Sequence, residues 1–158
     1  DDTEINEKQL TRKKYWAYAL EQIHAAHGDN GSFSNVNPSV QSWISGYFGV
    51  SGFSITCTTS NHFIGVEIYF GKANRDQNKE AFDYLATYQT EIENKLGVPL
   101  TWSRGEDTKS SKVCYRLNDV SIENEEDWPR MAKFHTEWSK KFFDVIVPYL
   151  RAKYLNTV

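Results

Sequence analysis

One stretch, GFSITCTTSNHFIGVEIYF from Gly52 to Phe70, restricts the fold more than any other part of the chain. Phe53, Ile55 and Cys57 alternate with Ser54, Thr56 and Thr58, and after Ser60, Asn61 and His62 the alternation resumes with Ile64, Val66, Ile68 and Phe70. Period-two alternation of β-branched and aromatic residues marks a half-buried strand, and the polar triplet between the runs supplies a turn, so the stretch predicts a β-hairpin. An apolar sheet face must be covered by something. Three amphipathic segments elsewhere in the chain are available to cover it.

The first is a helix over 6–27, in which Trp16, Leu20, Ile23 and His27 form one stripe and Gly28 stops the helix. Lys8, Arg12, Lys13 and Lys14 lie near its N-terminal end, where the helix dipole disfavours cations, and the acidic segment Asp1 to Glu7 is a candidate to offset them. Asp29 to Gln41 reads as a surface loop, and Trp43 to Val50 as a strand that bends or bulges at Gly46 or Gly49, so that 43–70 holds three strands. A second helix over 76–96 carries Phe82, Leu85, Tyr88, Ile92 and Leu96 on its apolar face, with Asp76 as N-cap and Gly97 and Pro99 as the stop. The span 100–117 reads as a strand pair, with Val113, Tyr115 and Leu117 on one face and Cys114 and Arg116 on the other. The third helix, over 127–154, has Asp127 as its cap, Pro129 in its first turn and a stripe of Met131, Phe134, Trp138, Phe142 and Val145. Pro148 kinks it or starts a short separate helix.

The resulting expectation is a single α+β domain over 1–158 in the order α-β-β-β-α-β-β-α, with one mainly antiparallel sheet covered by helices. A chain of 158 residues, 39% hydrophobic and 15% aromatic, is rich enough in apolar side chains to build one core and too rich for disorder. No apolar run approaches the ~20 residues that cross a bilayer, so no membrane partner is expected. No basic stretch followed by an apolar one opens the chain, and a cytoplasmic location is expected. The start at Asp1, without a methionine, suggests a piece of a longer polypeptide.

With the last helix set aside, the element order resembles the α-β-β-β-α-β core of PD-(D/E)XK nucleases, whose chemistry needs an aspartate on one strand and Glu-x-Lys on the next to hold Mg²⁺ and steady a water. In this chain Glu67 is followed by Ile68 and Tyr69, and the preceding strand offers Ser54, Thr56 and Thr58 but no acid. Glu67 is the one residue on which a degenerate metal-dependent nuclease could be built. No phosphate-cradling glycine loop and no nucleophile elbow is present. The two cysteines, Cys57 and Cys114, fall inside strands and read as buried free thiols; the four histidines, including the pair His24 and His27, lack the spacing of a metal site. No catalytic residue, metal or cofactor is expected.

Net charge is −3, which does not favour polyanion binding by the chain as a whole but leaves room for a local patch. The candidate nucleic-acid-binding residues are Lys72 and Arg75, beyond the hairpin, and Arg104, Lys109 and Lys112 around the second loop, with Tyr47, Tyr69 and Trp102 able to stack on bases if they are exposed beside them. The competing expectation is that Glu106 and Asp107 neutralise these cations and the aromatics pack inward.

A wider pattern then stands out. Arg12-x-x-Tyr15-Trp16, Trp43, Ser51-Gly52-Phe53, Gly65-Val66-Glu67-Ile68-Tyr69, Phe82-x-x-Leu85, Ile92-Glu93-x-x-Leu96-Gly97-x-x-Leu100-x-Trp102 and Asp127-Trp128 follow one another in an order and spacing that resemble a bacterial and archaeal domain of unknown function. In that family the domain is often found C-terminal to a PD-(D/E)XK nuclease-like domain. The resemblance runs from Leu10 to Leu150 and brings no catalytic residue with it. It implies an accessory domain of a nuclease-bearing parent. With no complete catalytic set in the chain, the expectation is a non-enzymatic accessory module of a nuclease- or defence-type protein, whose partners are nucleic acid, a nuclease-like domain of the same parent chain, or, through an exposed aromatic face, a second copy in a structural dimer.

Overall fold

In the computed structural model, which describes residues 6–155, the hairpin is the middle of a five-stranded sheet. The elements run α1 (Glu7–His27), β1 (Trp43–Tyr47), β2 (Phe53–Thr59), β3 (Phe63–Phe70), α2 (Arg75–Ala86), α3 (Gln89–Leu96), β4 (Thr101–Ser103), β5 (Ser111–Asn118), a 3₁₀ turn (Glu125–Asp127), α4 (Trp128–Val145) and α5 (Val147–Tyr154). The spatial order of strands is β1-β2-β3-β5-β4, and every pairing is antiparallel.

Register decides which residues share a face. Phe53 sits opposite Phe70, Ile55 opposite Ile68 and Cys57 opposite Val66, and across the next pairing Ile68 faces Val113 and Val66 faces Tyr115. These side chains form the inner face, and the helices lie against it. α4 crosses β2 and β3 and packs on α1, while α2 sits over β5 and β3. Ring contacts show the mesh: Phe82 of α2 meets Phe70 and Trp102, and Phe134 and Trp138 of α4 meet Tyr115. Burial of such side chains, at roughly 25 cal/mol per Å², is the main force holding helices to sheet.

Local chemistry accounts for several boundaries that differ from the sequence expectation. α1 is closed by a capping box between Asn6 and Gln9; the proposed acidic offset at residues 1–5 lies outside the described residues. The second helix is two helices, because Thr87 folds its hydroxyl back onto the Tyr84 carbonyl at 2.7 Å and competes with the helical ladder. Its N-cap is Asn74, whose side chain accepts from Gln77 N–H, rather than Asp76. Gly97 ends α3 in the left-handed conformation expected of a glycine stop. Asp127 caps nothing with its side chain; its carboxylate accepts from Ser121 N–H and pins the acidic loop that follows β5, residues 119–124. Pro148 begins the separate helix α5.

Gly46 is neither bend nor bulge, since β1 keeps unbroken register with β2 through it. It is there for close approach: a Cβ would lie 2.8 Å from the Ser32 carbonyl oxygen and 2.9 Å from the Phe33 ring. The loop before β1 is therefore more than a surface connection. Phe33 is fully buried beneath β1, and Trp16 Nε1–H donates to the Gln41 carbonyl.

The core also holds one polar unit that the hydrophobic pattern conceals. His135 on α4 is completely buried, with Tyr15 Oη 2.7 Å from Nδ1 and the Thr58 carbonyl 2.9 Å from Nε2. A carbonyl only accepts, so Nε2 carries the proton and the tyrosine hydroxyl donates to Nδ1. Burial pushes the His135 pKa down to about 4, keeping the ring neutral.

Candidate functional site

The same period-two alternation that fills the inner face places a second set of residues on the outer one. Three cross-strand rows make it up: Tyr47, Ser54, Tyr69, Lys112 and Ser103; then Ser45, Thr56, Glu67, Cys114 and Thr101; then Trp43, Thr58, Gly65 and Arg116. The helix–sheet ring contacts all fall on inward-facing side chains, and the outer row keeps Tyr47 at 65% and Trp43 at 47% exposure, with Tyr69 also exposed. Several large rings exposed together on one sheet face make the kind of patch that marks an interaction site.

Between these rings lies a cleft of about 520 Å³. Trp43, Tyr47 and Tyr69 rise around it, and Ser54, Thr56 and Glu67 form its floor. The floor is preorganised: Ser45 Oγ and Thr56 Oγ1 are 2.8 Å apart, and Ser54 Oγ and Thr56 Oγ1 are 3.0 Å apart. Ser54 and Thr56 are buried, although no helix among the described residues lies on their face, because the taller aromatics shelter them. Glu67 is sheltered as well, with 13% of its side chain exposed, and Lys112 Nζ stands 3.9 Å from its Oε2. Burial raises the Glu67 pKa, while Lys112 and Arg116 work against that rise. The Arg116 guanidinium lies over the Phe63 ring, 4.1 Å from its centre.

The five basic candidates separate into three situations. Lys112 is on the outer face itself. Lys72 and Lys109 lie in loops at the same end of the sheet; the Lys72 ammonium is 5.2 Å from the Phe53 ring centre, and Lys109 is exposed. Arg104 and Arg75 are engaged internally: Arg104 makes a two-pronged contact with Asp83 and a further one with Glu106, and Arg75 donates to the Glu106 carbonyl. Hydrogen bonding to Arg104 holds the Asp83 carboxyl below the usual range. Trp102, a stacking candidate, faces inward against Phe82 and donates to Glu93, so Tyr47 and Tyr69 keep that capacity while Trp102 does not.

The loops at this end are rigidly built. Asn78 accepts from Lys72 N–H and donates to the carbonyls of Lys72 and Lys109, tying the two loops together. Beside it the buried Lys79 ammonium donates to the carbonyls of Arg104, Gly105 and Ser110 at 2.6 to 2.7 Å. Its pKa is lowered, first by burial and then by Arg75 and Arg104. Among the described residues no carboxylate pairs with it directly; three backbone carbonyls and the Ser111 hydroxyl, at 3.1 Å, solvate the charge.

A smaller depression of about 290 Å³ beside Lys8, Arg12 and Glu123 has charged rims but no aromatic lining. Among the described residues no three His, Cys, Asp or Glu side chains gather as a metal site, and Cys57 and Cys114 are buried free thiols. No helix is long and apolar enough to cross a membrane among the described residues.

Comparison with known proteins returns one family. The family model described as "Domain of unknown function (DUF4268)" matches residues 11–150, which is nearly the whole chain and includes every strand. The chain belongs to this family. No curated protein and no solved structure matches it. The outer face of this DUF4268 domain was partly visible in the sequence: Ser54, Thr56, Thr58, Glu67 and Tyr69 are the polar half of the hairpin alternation. Trp43 and Arg116 were passed over as parts of the site because their membership depends on strand register, which a single sequence leaves open. For Arg116 the available signal was its place on the face opposite Val113 and Tyr115.

Proposed function

We propose that the DUF4268 domain is a non-enzymatic accessory module that contacts single-stranded nucleic acid through the outer face of its sheet. It would work in the cytoplasm beside a nuclease-like domain of the same parent chain, in a bacterial or archaeal nuclease- or defence-type protein. The observation that carries the reading is the juxtaposition, on one uncovered sheet face, of Trp43, Tyr47 and Tyr69 with Lys112 and Arg116. Unpaired bases have π-faces that stack on such rings, and the phosphates between them need cations nearby. Lys109, exposed in the loop before β5, adds positive charge at the same end of the sheet, whereas the Lys72 ammonium is turned to the inner side, over Phe53 and Tyr154. A net charge of −3 is compatible with this, because the field a strand meets on one face is local.

Fluorescence anisotropy of the whole chain against labelled single-stranded and duplex oligonucleotides tests the reading. Single strands should bind in preference to duplex, and affinity should fall steeply between about 50 and 200 mM salt. Tyr47→Ala and Tyr69→Ala should each weaken binding about tenfold, the weight of one lost base stack, and Lys112→Ala should flatten the salt slope. Equal affinity of these variants and the wild type would remove the sheet face from the interface. Mg²⁺-dependent cleavage that disappears in Glu67→Gln would replace the module by an enzyme.

A further inference from the structure

The floor of the outer cleft is asymmetric in a way that stacking does not require. Glu67 is the one carboxylate lining the cleft, and it sits sheltered at the middle of the sheet rather than at a solvated rim. To one side of it, at 3.9 Å from Oε2, is the Lys112 ammonium. Thr56 occupies the register position on the other side, with its hydroxyl engaged by Ser45 and Ser54. Two residues along the same strand, and therefore about 7 Å away on the same face, stands the exposed ring of Tyr69.

From this arrangement we infer that the cleft selects guanine, with Glu67 and Lys112 reading its Watson–Crick edge while the base rests against Tyr69. The inference rests on the sheet face being a nucleic-acid surface, as proposed above. Along its pairing edge guanine presents two donors side by side, N1–H and the N2 amino group, followed by the O6 acceptor. A carboxylate offers two acceptors at matching separation, and an ammonium beyond it offers the donor that O6 needs.

The other bases fit worse for a stated reason. Adenine and cytosine each place a ring-nitrogen acceptor beside their amino group, and that lone pair would face a carboxylate oxygen. Thymine and uracil flank their single N–H with carbonyls on both sides. The carboxylate thus acts as much by repelling three bases as by attracting one. Because Glu67 is largely sheltered from water, a base that covers it without donating to it displaces what hydration it has and leaves Lys112, among the described residues, as its one charged neighbour in contact. Preference should be correspondingly sharp.

The experiment uses the whole chain and single-stranded 12-mers of thymidine carrying two central substitutions: guanine, adenine, cytosine or hypoxanthine. Hypoxanthine keeps N1–H and O6 but lacks the N2 amino group, so it removes one of the two bonds to Glu67. The guanine strand should bind about tenfold more tightly than the hypoxanthine strand, the discrimination expected of one charge-assisted bond. Glu67→Gln, which presents one acceptor and one donor, should erase that difference between the guanine and hypoxanthine strands. A melting curve like that of the wild type would show that the variant is folded. Binding of all strands with equal affinity would overturn the guanine assignment and leave the stacking surface standing. Failure of every strand to bind at low salt would overturn both.

Discussion

The two faces of the sheet are made by the same strands and differ in almost every other respect. On the inner face Phe53, Ile55, Ile64, Val66, Ile68 and Phe70 are fully buried against helices, and their identities are dictated by packing. On the outer face small hydroxyls and one carboxylate are sheltered without a helix over them, and the largest rings are left in water. The comparison teaches that burial has two origins in this molecule. Inside, it follows from layer-on-layer packing and stabilises the fold; outside, it is shelter given by neighbouring side chains to groups that contribute little to stability.

The widest gap between the faces should appear in unfolding. Phe70→Ala removes a ring that meets Phe53 and Phe82 and should cost about 3–5 kcal/mol in urea denaturation. Tyr47→Ala or Tyr69→Ala should change the same measurement by no more than about 0.5 kcal/mol. A large loss of stability from either tyrosine would break the division.

Acid should also act differently on the two faces. His135 lies among the inner-face groups with a pKa lowered to about 4, so its contribution is complete above the unfolded value of about 6.5. As pH falls between those two values the unfolded chain takes up the proton first, and stability should drop by about 3 kcal/mol, seen as a falling urea midpoint. Glu67 on the outer face works in the opposite sense. Its raised pKa means that ionisation is easier in the unfolded chain, so its contribution is present at low pH and is lost as pH rises through its own titration. Glu67→Gln should therefore leave stability unchanged or slightly higher near neutral pH, the smallest effect of the set, while His135→Gln should flatten the acid limb.

The inner face was the more legible of the two. Strict alternation in β2 and β3 carried the hairpin and its buried side without help from the rest of the chain, and the stripe of α4 carried the cover. What stayed hidden depends on partners distant in sequence. Nothing around His135 announces that Tyr15, 120 residues earlier, will donate to it. Nothing around Arg104 announces that Asp83 will occupy its guanidinium, and nothing around Lys79, on the surface of a charged helix by composition, announces four oxygen neighbours. The break at Thr87 escaped because a threonine in mid-helix is tolerated until its hydroxyl turns back on the ladder. For the outer face the polar half of the alternation was legible, whereas the flanking residues required knowing that β5 lies beside β3.

The Lys79 ammonium, enclosed by carbonyls of the loop between β4 and β5, has a consequence for the motions of that edge. An amine-acylating reagent reaches a lysine nitrogen only when its lone pair can be freed, and here each hydrogen is already taken by the chain. In brief labelling of the native protein, exposed Lys109 and Lys133 should be modified at ordinary rates and Lys79 only as often as the loop lets go. One side chain thus acts as a clock for the breathing of the sheet's edge, and its ticking can be read by mass spectrometry without unfolding the rest of the molecule.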